Sequence, residues 1–149
     1  MTEPTKAVLL NTVKEWTKFT TERDKLTAVA NEVAQFARKA IQECLMVMKA
    51  QNVDVQCDSP DAMKILGVNV VAEPMVEAAF PNVKASVILK CAGATRAIVI
   101  NPNLSISAGG TPILLDQLKK AVPEPFILNA AEFVRDAFLN VARTGGKEQ

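Results

Sequence analysis

Between Pro4 and Pro60 the chain contains neither proline nor glycine, whereas from Pro60 onward it holds seven of its eight prolines and all six glycines. These two residues are the usual interruptions of a helix: proline removes an amide and clashes with the preceding turn, and glycine costs backbone entropy. The first third is therefore expected to be helical, and the rest to be cut into short elements. Leu9, Leu10, Val13 and Trp16 fall at helical spacing. The pattern fades through residues 20–24, then resumes with Leu26, Val29, Ala30, Val33, Phe36, Ala37, Ala40, Ile41, Cys44, Leu45 and Met48, opposite Glu32, Gln35, Arg38, Lys39 and Gln42. Thr21 followed by Asp24 is a variant of a capping box, which predicts two helices, with one continuous helix as the alternative.

Beyond residue 52 the signals change. Ser59, Pro60 and Gly67 bracket a predicted short helix over 60–66. A short strand over 68–72 and a helical turn over 74–80 follow. From Val83 the apolar period becomes two, with Val83, Ala85, Val87, Leu89 and Cys91 on one side and Lys84, Ser86 and Lys90 on the other, which is a strand with one wet face. Residues 96–100 and 104–107 flank Asn101, Pro102 and Asn103, a hairpin signature. Gly109, Gly110, Thr111 and Pro112 open a helix expected to reach Val122. A last helix over 125–143 carries Phe126, Ala130, Phe133, Val134, Ala137, Phe138 and Val141 on one stripe. The expected architecture is α+β: a small antiparallel sheet of about three strands (residues 83–107), covered by N-terminal and C-terminal amphipathic helices. The chain reads as a single domain, 1–149, with a helical part at 1–52, a mixed part at 53–149 and a frayed tail at 145–149.

Composition narrows the function. The chain has 149 residues, 49% of them hydrophobic, a length and content at which a folded core is expected. It has no histidine, which removes Ser-His-Asp and Cys-His catalysis and any zinc site with an imidazole ligand. It has no tyrosine and one tryptophan, so few rings can stack bases. Seventeen basic and 16 acidic side chains leave a net charge of +1, against a nucleic-acid binder. Cys44, Cys57 and Cys91 show no Cys-x-x-Cys spacing, which points to a reducing, cytoplasmic setting. The longest uncharged run with no acidic or basic residue after Arg96, 97–115, is broken by Pro102, Gly109, Gly110 and Pro112, so no membrane span is expected.

Five constellations invite a chemical reading. Cys91 and Arg96 flank a glycine-containing loop, and a thiolate beside loop amides and a guanidinium could act as a nucleophile on a phosphate. The arrangement departs from the protein tyrosine phosphatase loop, which has a histidine before the cysteine and a longer spacer; here Lys90 precedes. The commoner reading is a buried strand cysteine before a turn. Gly109, Gly110 and Thr111 could present amides to an anion together with Arg96, or could simply turn a corner with Thr111 as a helix cap. Lys84, Lys90 and Arg96 could form a basic patch or a solvated sheet face. Asp54, Asp58 and Asp61 surround Cys57 but lack the central glycine and closing glutamate of a calcium loop, so no metal site is expected. Lastly, the apolar helix stripe through Val33 and Phe36, with Phe133 on the last helix, exceeds what a three-stranded sheet can cover, and surplus of this kind marks interfaces. The sequence thus predicts a protein without a cofactor that works by protein–protein association, as a homo-oligomer or adaptor. The alternative is an anion-binding or catalytic domain built on Arg96 and the Gly109–Thr111 turn, with Cys91 as its nucleophile.

Overall fold

A computed structural model of the protein describes residues 1–145. The frayed tail expected at 145–149 lies outside the described residues except for Gly145. One helix, α1 (Glu3–Ala50), is followed by seven strands: β1 (Val55–Gln56), β2 (Met63–Ile65), β3 (Val68–Ala79), β4 (Asn82–Cys91), β5 (Ala94–Ile100), β6 (Ser105–Ser107) and β7 (Ile113–Leu114). Two helices, α2 (Leu115–Lys120) and α3 (Glu124–Thr144), close the chain. Each strand pairs antiparallel with the next in sequence order. The α+β class and the flanking helices are as predicted, but the sheet has seven strands, not about three, and runs from Val55 to Leu114.

Each difference has a local cause. The expected break near Thr21 is absent: α1 runs unbroken through residues 20–24, and Thr20 and Thr27 donate their hydroxyls to the carbonyls of Thr17 and Arg23 within the helix rather than capping a new one. The helix expected over 60–66 is instead a turn leading into β2. In β2, Met63 and Ile65 are buried and Lys64 is exposed. Leu66 (φ 49°) and Gly67 (φ 84°) then form a two-residue hairpin to β3, Ile65 pairing with Val68. The helical turn expected over 74–80 is the second half of β3. Pro74 is tolerated because β2 pairs only as far as Val70, so at Pro74 β3 needs no amide on that side. The helix expected from Thr111 begins only at Leu115, after the short strand β7. The last helix matches its prediction and ends at Gly145, whose left-handed φ of 69° lets its amide reach the Val141 carbonyl.

One face of the sheet is covered by α1 and α3, which also pack on each other. Leu26, Val33, Ala37, Ile41 and Leu45 of α1 meet Val70, Ala72, Val87, Leu89 and Ile98 of the sheet, and Phe126, Phe133, Ala137 and Val141 complete the core from α3. Ala30, Ala34 and Ala37 keep the contacting side of α1 slim, which allows close approach of sheet and neighbouring helix. Helix side chains also satisfy carbonyls at places where the ladder leaves them without a strand. Arg38 donates to the Ala72 carbonyl (2.7 Å), Gln42 to that of Cys57 (2.8 Å) and Asn140 to that of Ala92 (3.2 Å).

The docked part of α1 begins at Phe19. Every residue before it is exposed. A 48-residue helix is about 72 Å long and the longest strand, of 12 residues, about 40 Å. The first 16 residues of α1 therefore project as an arm of about 24 Å.

Candidate interaction surface

The chemical candidates find structural partners. Cys91 is buried at the end of β4, its thiol directed to the Val68 carbonyl at 3.9 Å. The loop after it is a two-residue hairpin turn, with Ala92 (φ 51°) and Gly93 (φ 83°) in its corner and Ala94 already paired with Cys91. Such a turn is too tight to cradle a phosphate. Arg96 lies opposite Leu89, on the helix-covered face. There its guanidinium meets Asp136 (3.1 Å) and Glu132 (3.6 Å) of α3. Hydrogen bonds from Arg96, and next from Arg135, hold the Asp136 carboxyl below its ordinary range.

The Gly109 turn reaches the same helix one turn earlier. A Cβ placed on Gly109 would sit 3.0 Å from Nδ2 of Asn129. Both halves of the expected anion site thus abut α3, but two carboxylates already flank the one guanidinium, an unfavourable field for an anion. The basic set divides: Lys84 and Lys90 face the open side of the sheet, Lys84 directly across from Glu77, while Arg96 projects to the other side. Asp58 pairs with Lys49 across 3.4 Å of exposed surface, and among the described residues no three acidic or cysteine side chains are placed to share a metal ion. Burial, and secondarily Glu43, push the Cys44 thiol above its ordinary range.

Val33 and Phe133, named above as interface candidates, are fully buried in the chain's own core, and Phe36 packs partly buried against it. The premise of a helix stripe too wide for its sheet falls with the additional strands, which cover it from Leu26 to Leu45. The uncovered apolar surface lies on the arm instead. Val8, Leu9, Leu10, Val13 and Trp16 are each at least half exposed. At the base of the arm stands a trio of rings. Trp16 and Phe19 of α1 are 5.3 Å apart, and Phe80, at the tip of the β3–β4 hairpin, lies 5.3 Å from Phe19 and 5.8 Å from Trp16. These are the offset and edge-on separations at which rings attract. Phe19 is buried by the arrangement, whereas Trp16 and Phe80 remain half exposed. Beside them is a cleft of about 390 Å³ lined by Glu15, Lys18, Phe19, Glu22, Phe80 and Pro81.

The sequence places Trp16 on a helix and Phe80 in a helical turn, and so gives no sign that the two rings meet. The long β3–β4 hairpin carries Phe80 out to the helix, and the only signal for it was the alternation that Pro74 masked. Among known proteins, no family model matches the chain, and no curated protein or solved structure matches it at a significant level. No helix among the described residues is long and apolar enough to cross a membrane.

Proposed function

We propose that the protein works by association with another protein chain, through the projecting arm of α1 and the ring cluster at its base, and without catalysis of its own. The observation that carries this reading is the run of five half-exposed large apolar side chains on a projecting helix segment, ending where Trp16 meets Phe80 at its base. A contiguous apolar surface of this size is uncommon on a monomer and typical of a binding face. Tryptophan, which stands at its base, is among the residue types most enriched at interface hot spots.

The arm's composition agrees. Residues 5, 12 and 17 are threonines, 8 and 13 valines, and Thr12 and Thr17 turn their hydroxyls back onto the helix backbone. An exposed helix that had to stand alone would need stronger helix formers, since short helices in water are marginal. A covering partner supplies the missing stabilisation. The cytoplasm is the proposed setting, since Cys44, Cys57 and Cys91 form no disulfide with one another.

The test is the association state of the purified chain, joined to affinity capture with mass spectrometry. A bound chain, either a second copy or another protein, is expected to be lost in Val13→Asp. A monomer that binds nothing sensitive to this substitution would refute the reading.

A further inference from the structure

Resting on that reading, we infer that the occupant of the arm is the same arm of a second copy of this chain, laid antiparallel to form a two-fold dimer. Leu9, Val13 and Trp16 follow one another at i, i+4 and i+7, a single stripe along the helix, with Val8 and Leu10 flanking it on either side. Leu9 and Trp16 lie at equal distances from a point between Thr12 and Val13. An antiparallel pairing about that point sets Leu9 against Trp16 of the partner subunit twice over and brings the two copies of Val13 together at the axis. One stripe thereby satisfies itself, as an isologous interface requires.

Two further observations favour a second copy. The arm, residues 3–18, carries Glu3 and Glu15 against Lys6, Lys14 and Lys18, a net charge of only +1. Two copies therefore meet with little repulsion, whereas a surface suited to a basic or acidic partner carries a larger excess of the opposite sign. The area is also of the right order. Six side chains (Val8, Leu9, Leu10, Val13, Trp16 and Phe80) are half exposed or more. At about 100 Å² each they offer on the order of 600 Å² of apolar surface per chain, against about 800 Å² of all kinds per partner in a standard interface.

The experiment is sedimentation of the full chain from about 1 to 100 μM, a range that brackets an association of micromolar strength, with the emission of Trp16, the sole tryptophan, as reporter. The expected result is a dimer whose tryptophan emission moves to the blue as it forms. Val13→Asp should weaken it at least tenfold while thermal unfolding of the body stays unchanged. Val13→Cys should close a disulfide across the axis under mild oxidation, and Lys14→Cys, on the far side of the helix, should not. A dimer that tolerates Val13→Asp, or that cross-links through Lys14→Cys in preference, overturns the inference and the proposed register. A chain that is monomeric at 100 μM also overturns it. In that case the broader reading survives if a purified heterologous partner binds and is lost in Val13→Asp, and fails with the inference if none does.

Discussion

At Arg96 one guanidinium joins two carboxylates on a helix that follows it in sequence by some 36 to 40 residues. Because the Asp136 carboxyl is held below its ordinary range, its pairing stabilises the fold above the unfolded carboxylate range, near pH 4, and that contribution disappears as pH falls through the lowered value. Asp136 is 39% exposed, so solvent screens the pair and the effect is modest. Asp136→Asn should melt slightly below the parent at pH 7, and the two melting curves should converge toward pH 3. Gly109 tests a backbone requirement. With φ at 80° and Asn129 3.0 Å from the missing Cβ, Gly109→Ala is expected to cost about 1–2 kcal/mol, read by denaturant unfolding. None of this was legible in the sequence, which showed Arg96 and Gly109 as turn-flanking residues but not the acidic pair or the amide opposite them. Pairings across such separations depend on how α3 is laid over the sheet.

Among elements, α1 divides into two stretches of different burial without any break in its hydrogen bonding. Residues 19–45 hold the core, whereas residues 3–18 are exposed and meet the body at their base, where Trp16 packs on Phe80. Deleting residues 2–14 should leave the melting temperature within about 2 °C of the parent, because surface changes away from buried features shift stability by about 0.5 kcal/mol or less. Phe133→Ala, by contrast, opens a cavity in a fully buried site and should cost about 3–5 kcal/mol. Amide exchange should show the same division, fast in the arm of a monomer and slow past Phe19. The sequence predicted β4, the β5–β6 hairpin and α3 well, since each has an unbroken period and clear turn residues. It failed for β2, and for β3 it found the strand over 68–72 but not its continuation past Pro74. Three residues are too few to establish a period, the Leu66–Gly67 corner resembles a helix stop, and Pro74 suggests an interruption unless the partner strand is known to end at Val70.

For the whole molecule, the balance of charge foreseen from composition agrees with ion pairs spread thinly over the surface, while the strand count could not be foreseen. The number of strands follows from pairings between very short segments, such as Val55–Gln56 and Ile113–Leu114, that have no signature of their own. Because the proposed contact is apolar and the chain nearly neutral, raising salt from about 0.05 to 0.5 M, which shortens electrostatic range to a few ångströms, should leave association unchanged or strengthen it. Nucleic-acid binding would instead fall steeply. The continuity of α1 has one more consequence. A helix without glycine or proline between its docked and projecting parts is a stiff boom, so whatever binds near Leu9 is held at a fixed reach and a fixed angle from the sheet. One alanine inserted after Arg23 would lengthen the boom by about 1.5 Å but swing its tip through about 100°, and seven would bring the tip almost back into line.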